Sequence, residues 1–161
     1  MRKKIFLIIL AVLVIIQFIR PARNRSTMVS KNDVSNHYEV PDGVKKILEL
    51  SCNDCHTNNT DYPWYTNIQP VGWWMQWHVN DGKAHLNFSE FAAYTPKRQH
   101  KKLEETVEQI EKDWMPLNSY LWIHSDAKLS AEQKDQLTKW ASQLKDSLAK
   151  RYNIQPEKEE H

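Results

Sequence analysis

One short run of residues carries the chemistry that this chain most clearly offers. Cys52 and Cys55 are its only two cysteines, and His56 directly follows the second. This Cys-x-x-Cys-His spacing is the attachment signature of c-type haem. The two thiols can form thioethers with two vinyl groups on one edge of a porphyrin, and the adjacent imidazole becomes the proximal ligand of the iron. The motif therefore predicts one covalently bound haem c per chain, with His56 as a metal ligand.

Three other interpretations of the motif stay open from the sequence alone. A thioredoxin-like redox pair would need alternating strands and helices around it, and no such pattern is visible. A structural zinc site would need a second ligand pair at zinc-finger spacing, whereas the remaining histidines are scattered. A simple disulfide in an exported protein is the third alternative. The spacing favours haem over all three.

The second axial ligand separates a closed electron carrier from an open haem site. Met115 is our candidate, because Pro116 makes the chain leave the preceding helix and projects the thioether from a turn. Methionine opposite histidine would raise the reduction potential and block small molecules from the iron. His78 and His85 are the competing ligands, since their segment could fold over the distal face. The structural alternative is that Met115 only fills core.

Tryptophan is frequent, with seven residues in a chain of 161. A buried porphyrin offers a large flat apolar surface that indole rings can cover. An ordinary aromatic core and an exposed docking patch are the alternatives. The candidates for lining a haem pocket are Trp73, Trp74, Trp77 and Trp114.

The amino terminus has the arrangement of an export signal. Basic residues at positions 2–4 precede an apolar run over residues 5–19, interrupted only by Gln17, and no small-residue cleavage site follows. A helix of about 15 residues spans about 22 Å, which is short for a hydrocarbon core of about 30 Å, although local thinning could close the gap. We expect residues 1–19 to form an uncleaved signal anchor, with secretion after cleavage as the alternative.

Charge and chemistry together suggest the compartment and the partners. Residues 1–25 hold six of the 22 basic residues and none of the 20 acidic ones, so the remainder has 16 against 20 and a net charge of −4. A nucleic-acid role therefore loses its support. Thioether attachment resembles what bacterial cytochrome c maturation performs outside the cytoplasmic membrane. It implies a single-pass protein with its domain in the periplasm, and three kinds of partner: the maturation machinery, the membrane, and periplasmic or membrane redox proteins.

The remaining chain divides into a tether, one domain and a tail. Residues 20–39 are polar without an apolar period, which predicts a loosely structured tether. Residues 40–152 are enough for one core, and residues 153–161 form a charged tail. Helical patterns dominate, and no run alternates over the length of a strand. We therefore predict an all-α domain of four to five helices behind the N-terminal anchor helix, and with its haem motif this domain resembles a small cytochrome c.

Three helices of this domain have clear starting signals. Asp42 can cap a short helix that leads directly into the motif. Thr95 and Pro96 suit the cap and the first position of another. Ser130 with Gln133 forms a capping-box pattern ahead of the last helix. The apolar stripes of the three helices are Val44, Ile47 and Leu48; Leu103, Val107, Ile110 and Trp114; and Leu137, Trp140, Leu144 and Leu148.

A fourth helix is predicted over residues 71–79. It should end near Gly82, where glycine can take a left-handed terminal conformation. In cytochromes c a proline carbonyl often orients the proximal imidazole, and Pro70 or Pro63 is the matching residue here. Such a hydrogen bond would fix the ring and make it a better donor to iron.

Several ordered blocks resemble known families. The order of an early Cys-x-x-Cys-His, a late Met-Pro and a terminal amphipathic helix resembles class I cytochrome c. A second resemblance, over about residues 40–148, is to the small bacterial haem-binding domain family with a single Cys-x-x-Cys-His motif. It implies a covalent haem c in an exported or membrane-tethered protein. The blocks that carry it are CNDCHTNNTDYPWYTNIQPVGWW, HVNDGKAHLNFSEF, YTPKRQHKKLEE, MPLNSYLWIH and LSAEQKDQL.

These features favour a membrane-tethered monohaem electron carrier that exchanges single electrons through an exposed haem edge. The alternative is a haem-based sensor or small peroxidase, in which the sixth ligand is absent or displaceable. No Ser-His-Asp arrangement, phosphate loop or paired-carboxylate site argues for another enzyme class. We therefore expect a haem-binding protein without catalytic residues of its own.

Overall fold

The regular structure of the chain is helical throughout the part that the computed structural model describes, residues 1–155. The all-α prediction is therefore confirmed, and residues 156–161 of the expected tail lie outside the described residues. Four domain helices, α3, α5, α6 and α8, have ten or more residues, as the sequence predicted, whereas the short ones were not anticipated. The helices are α1 (Arg2–Ile16), α2 (Val34–His37), α3 (Asp42–Ser51), α4 (Asn53–His56), α5 (Val71–His85), α6 (Pro96–Glu111), α7 (Asn118–Leu121) and α8 (Ala131–Tyr152). Three 3-10 turns span Trp64–Asn67, Phe88–Ala93 and Ser125–Ala127.

The helix starts follow local hydrogen bonding. The Thr95 side chain accepts a hydrogen bond from the Arg98 amide at the start of α6, and Ser130 begins α8 with a complete capping box. The expected Asp42 cap is wrong, because Asp42 is the first residue of α3 and its side chain makes no capping bond. There its negative charge still favours the helix through the dipole.

The core is built around α6 and α8, which pack antiparallel. Lys134 forms an ion pair with Asp113, so the start of α8 lies beside the end of α6. Leu103, Leu137 and Leu148 are fully buried between the helices. Each such leucine contributes about 1.5–3 kcal/mol by leaving water. Helix α3, which carries the Cys-x-x-Cys-His segment at its end, packs on α8 of this pair.

Helix α3 packs on α8 and delivers the chain into the motif. Its predicted stripe of Val44, Ile47 and Leu48 is buried in the core. The Trp140 indole nitrogen donates to the Glu39 carbonyl at 3.1 Å, which fixes the segment before α3 on α8. Because α3 is held at both ends, the residues that follow it have a defined position.

The segment 20–39 is not the loose tether that its composition suggests. Val34 belongs to the core and is only 4% exposed. The Asn24 side chain donates to the Thr57 carbonyl and to Thr60 Oγ1, both at 2.9 Å. The polar residues of this segment satisfy backbone groups of the loop after the motif. Ordered structure therefore begins well before residue 40.

Helix α1 stands apart from the core, and none of its residues is buried. Its contact with the domain lies just beyond its last turn, where the Gln17 amide exchanges two hydrogen bonds with the backbone of Gln69. Among residues 1–155, no helix combines the length and the apolar character needed to cross a membrane.

Helix α5 continues past its expected end. It extends to His85, and Gly82 has no left-handed conformation. Gly82 instead lies inside the helix, where a Cβ atom would come within 2.8 Å of the Cys55 carbonyl oxygen. The glycine therefore permits close packing of α5 on the motif rather than the end of a helix.

Candidate functional site

The Cys-x-x-Cys-His motif forms one helical turn at the end of α3. The Cys52 carbonyl accepts hydrogen bonds from the amides of Cys55 at 3.1 Å and His56 at 3.0 Å. Both cysteines are free thiols rather than a disulfide. A single turn brings the three reactive side chains close together on a segment that is anchored by α3 on one side and α5 on the other.

A cavity of about 600 Å³ opens beside this turn. This volume lies within the range of 300–1,000 Å³ that small-molecule and cofactor sites occupy. Cys52 and His56 line it, together with residues from α3, the end of α5 and α6. Its apolar lining consists of Leu48, Leu86, Phe88, Ile110, Trp114, Met115, Pro116 and Leu137. An apolar cavity of this size next to the Cys52 thiol and the His56 imidazole fits a porphyrin, whereas Cys55, the other predicted attachment residue, is not part of the lining.

His56 is oriented by the chain that leaves α5. Its Nδ1 atom lies 3.0 Å from the Leu86 carbonyl oxygen, so Nε2 is the nitrogen left for a metal. Burial lowers the pKa of His56, although backbone hydrogen bonding with Leu86 and Gly82 acts in the opposite direction. A neutral imidazole is the form that binds metal ions. The expected proline carbonyls, Pro70 and Pro63, are wrong, because the acceptor comes from a residue that follows α5 rather than one that precedes it.

The two thiols lie in a low-dielectric environment. Burial, followed by the charge of Cys55, raises the pKa of Cys52 to about 12. Burial, followed by the charge of Asp54, raises the pKa of Cys55 to about 11. Both thiols are therefore neutral at physiological pH, and neither resembles the activated thiolate of a redox enzyme.

Met115 lies on the same cavity as His56. After α6 the chain reverses at Asp113, which has a left-handed φ of 56°. The amides of Trp114 and Met115 then both donate to the Gln109 carbonyl, at 2.9 and 3.3 Å. This turn directs Trp114 and Met115 to the cavity wall and packs Met115 partly against the core. The structure thus brings together the two residues that the sequence proposed as axial ligands.

The two competing histidines differ in position. His85 lines the cavity, and its Nδ1 atom lies 2.9 Å from the Asp81 carbonyl oxygen. His78 does not line it; its ring contacts those of Trp74 and Trp77, with centroids 4.4 and 4.8 Å away. Only His85 therefore stays beside Met115 as a candidate for the sixth ligand.

Three of the four candidate tryptophans lie away from the cavity. Trp73, Trp74 and Trp77 are absent from its lining, whereas Trp114 is part of it. The cavity meets only the last turn of α5, at Asp81 and His85, and the three tryptophans lie earlier in the helix. The interpretation that these three cover a porphyrin is therefore not what the structure shows.

Helix α6 contributes a polar wall that the sequence patterns did not predict. Lys102, Glu105, Glu108 and Gln109 line the cavity opposite the motif. Lys102 forms an ion pair with Glu105 at 2.6 Å, and its side chain is only 15% exposed. Positions 102, 105 and 109 share one face of a helix, so their spacing beside the apolar stripe could have indicated this wall.

The motif is also held from its outer side. Asp54 accepts hydrogen bonds from the Tyr120 hydroxyl at 2.8 Å and from the Asp61 amide at 2.9 Å. Burial, followed by this bond to Asp54, raises the pKa of Tyr120. The Tyr120 ring stacks on His124 at 4.1 Å, and His124 Nε2 lies 3.1 Å from the Tyr65 hydroxyl. These contacts fix the turn that carries the two thiols.

The fold and cavity together define a small helical domain with a site of cofactor size beside a Cys-x-x-Cys-His turn. The family model described as the haem-binding domain matches residues 11–143, and the chain belongs to this family. No curated protein and no solved structure gives a significant match. Within residues 1–155, no group of three or more His, Cys, Asp or Glu side chains could hold a metal ion. Because it belongs to this family, the chain is a haem-binding protein. The matched region also includes residues 11–33, which precede α2.

Proposed function

We propose that this protein carries one covalently attached haem c and transfers single electrons while it is tethered to a membrane. The observation that carries the proposal is that Cys52, His56 and Met115 line one cavity of cofactor size. Bound haem would supply reversible change of iron between its ferric and ferrous states. The chain would supply attachment, axial ligands and an apolar environment.

Attachment would use the two thiols of the motif. Each thiol adds across one vinyl group, so that sulfur bonds to one carbon and the thiol hydrogen ends on the other. No external oxidant or reductant is needed for this addition. His56 Nε2 would coordinate the iron, with the Leu86 carbonyl holding the ring through Nδ1.

The opposite axial position would be filled by Met115. Ligation by one histidine and one methionine favours the ferrous state more than ligation by two histidines does, so it raises the reduction potential. Trp114 beside it is 55% exposed while also lining the cavity. It therefore marks where the cavity meets solvent and where a redox partner could approach.

The proposed tether is α1. Its apolar residues from Ile5 to Ile15 are exposed to solvent, which is costly unless lipid or another apolar phase covers them. Basic residues at both ends suit lipid headgroups. We place the domain on the periplasmic side, because covalent haem attachment resembles a process outside the cytoplasmic membrane. Redox proteins of that compartment would be its partners.

Intact mass spectrometry tests the covalent link. The chain expressed with a bacterial haem-maturation system should gain the mass of one haem, and the colour should survive acid extraction of free haem. The Cys52→Ala, Cys55→Ala double variant should have the bare polypeptide mass. A wild-type mass without haem after maturation would refute covalent attachment.

Carbon monoxide binding tests the axial ligand. The ferrous wild-type protein should be low-spin and react slowly, whereas Met115→Ala should bind carbon monoxide rapidly. Met75→Ala is the matched control, since Met75 lies in α5 outside the cavity lining. If Met115→Ala retains the wild-type spectrum, methionine is not the ligand and His85→Ala becomes the informative variant.

A haem-based sensor or small peroxidase is the second candidate. The observation that favours it is the polar α6 wall, because Lys102 and Gln109 could stabilise a polar ligand on iron. Fast carbon monoxide binding by the wild-type protein, with a high-spin ferrous spectrum, would favour this function over the electron carrier.

A further inference from the structure

The tryptophans of α5 that do not line the cavity leave an apolar surface exposed. Trp74 is 44% exposed and Trp77 is 60% exposed, and Ile68 and Val71 just before them are 47% and 39% exposed. We call these four residues the tryptophan face. Clustered apolar side chains of this size indicate a contact surface.

The end of α1 is fixed directly beside this face. Gln17 Nε2 donates to the Gln69 carbonyl at 3.1 Å, and the Gln69 amide donates to Gln17 Oε1 at 2.9 Å. The Trp73 indole nitrogen donates to the Ile19 carbonyl at 2.7 Å. Gln69 lies between Ile68 and Val71 in the sequence. Wherever α1 is embedded, the tryptophan face is therefore close by.

We propose that the tryptophan face lies in the headgroup region of the same bilayer that holds α1. This inference rests on the membrane tether of the proposed function. An indole ring combines a large apolar body with one N–H donor, and tryptophan is enriched where a membrane meets water. The two hydrogen bonds between Gln17 and Gln69 join the end of α1 to the residue that follows Ile68, so the apolar residues of α1 and this face lie near one another.

The dimensions of a bilayer agree with this placement. Each interfacial layer is about 5–8 Å thick, from a total of about 40–45 Å around a hydrocarbon core of about 30 Å. Val71 and Trp77 are separated by about 9 Å along α5 at 1.5 Å per residue. All four side chains fit in one layer when α5 lies close to the membrane plane. Trp74 and Trp77 share one side of the helix, as this orientation requires.

Basic residues at the exit of α1 favour anionic lipid. Arg20 and Arg23 border a pocket with Asn67 and Gln69 at the start of α5. The Arg23 guanidinium donates to Asn67 Oδ1 and lies 4.8 Å from the centre of the Tyr62 ring. Its charge is thereby held beside the tryptophan face, where phosphate headgroups would meet it.

A second membrane contact would compensate for a short anchor. The helical part of α1 has 15 residues, which reach about 22 Å at 1.5 Å per residue. Stable membrane association commonly combines two separate signals. The tryptophan face would supply the second one and would also set the orientation of the haem cavity relative to the membrane.

Hydroxyl-radical footprinting of the haem-loaded full chain tests the inference. The chain is reconstituted in nanodiscs of phosphatidylcholine and phosphatidylglycerol, and the oxidation of each residue is read by mass spectrometry. Tyr152 is the reference, because it is 46% exposed and lies at the end of α8. The oxidation rate of Tyr152 sets the rate expected for a given exposed fraction. Trp74 and Trp77 should be oxidised several-fold more slowly than this expectation.

Oxidation of Trp74 and Trp77 in proportion to their exposure would overturn the inference, while retention in the nanodisc would leave the tether intact. Elution of the chain without lipid would overturn the tether and the inference together. In native membranes, Trp74→Gln with Trp77→Gln should increase alkaline extraction several-fold, and Tyr152→Gln should not. Equal extraction of the double variant and wild type would also contradict the proposed face.

Discussion

At the level of single residues, His56 is prepared for metal binding before any cofactor arrives. The Leu86 carbonyl holds Nδ1 at 3.0 Å, and burial lowers the pKa of the ring. Burial favours the neutral ring, whereas the Leu86 bond opposes this pKa shift but selects the tautomer whose Nε2 is left to coordinate iron. The site therefore needs little rearrangement of this ligand, which reduces the cost of coordination.

The lowered pKa predicts a pH dependence of stability in the haem-free chain. Between the native pKa of His56 and the unfolded value of about 6.5, the unfolded chain binds one proton more than the native one. The free energy of unfolding should therefore rise with pH through this interval and fall as the solution becomes more acidic. One proton gives a slope of at most about 1.4 kcal/mol per pH unit.

Urea unfolding at several pH values measures this slope. His56→Gln should flatten the dependence below pH 6.5, whatever its effect on absolute stability. His100→Gln is the control, since His100 lies in α6 outside the cavity lining. A slope that His56→Gln leaves unchanged would show that another group titrates in this range.

At the level of helices, the close contact between α5 and the motif depends on Gly82. Alanine there would gain up to about 1 kcal/mol in helix propensity. Its Cβ atom, however, would lie 2.8 Å from the Cys55 carbonyl oxygen and 3.0 Å from Cys55 Cβ. Forcing such atoms apart typically costs about 1–3 kcal/mol. Gly82→Ala should therefore lower the free energy of unfolding by about 1 kcal/mol and reduce the yield of attached haem.

Gly43→Ala is the matched control, because Gly43 is also helical but faces the flexible end of the Gln136 side chain. That side chain can move, so this variant should be neutral or slightly stabilising. Chemical denaturation and the ratio of haem absorbance to protein absorbance measure both effects. Similar losses of stability and of attached haem in the two variants would mean that the close contact with Cys55 does not require glycine at position 82.

The helices differ in how well the sequence predicts them. Helices α6 and α8 have one apolar stripe and recognisable first turns, so their cores and starts could be predicted, whereas for α3 the stripe was predicted but the cap was not. Four-residue helices such as α4 and α7 are too short to show any period. In α5, tryptophans occur on several sides, and their size suggested burial beside a cofactor. Their position relative to the cavity depends on where α5 crosses the motif, which no local pattern encodes.

The functional site was also predictable only where a local sequence pattern encodes it. Cys52, Cys55 and His56 form a local motif that spacing identifies. Pro116 predicted that the helix ends at Met115, but α6 ends at Glu111 and the chain already reverses at Asp113. The Leu86 carbonyl and the polar wall on α6 depend on tertiary packing, so composition and spacing could not identify them. Residues 20–39 were mistaken for a loose tether because polar side chains that bond to backbone groups resemble solvated ones.

For the whole molecule, the docked N-terminal segment decides whether the domain can move freely relative to α1. Asn24 is the central contact. Its side-chain nitrogen donates to the Thr57 carbonyl and to Thr60 Oγ1, and its side-chain oxygen accepts from Lys83. Its backbone N–H donates to the Tyr62 hydroxyl at 2.7 Å. A loose tether would expose the bonds after Arg23 and Arg25 to trypsin, whereas a docked segment must first open locally.

Asn24→Ala should therefore accelerate tryptic cleavage in this segment. Each lost hydrogen bond contributes about 0.5–1.5 kcal/mol, and every 1.4 kcal/mol of local opening corresponds to about a tenfold faster cleavage. We expect the rate of cleavage to increase about tenfold or more. Mass spectrometry of the fragments measures this rate. Asn36→Ala is the control, since Asn36 is exposed and its side chain donates to the carbonyl of nearby Ser30. If wild type is cut as fast as Asn24→Ala, the segment is flexible, and the orientation proposed for the haem cavity at the membrane loses its structural basis.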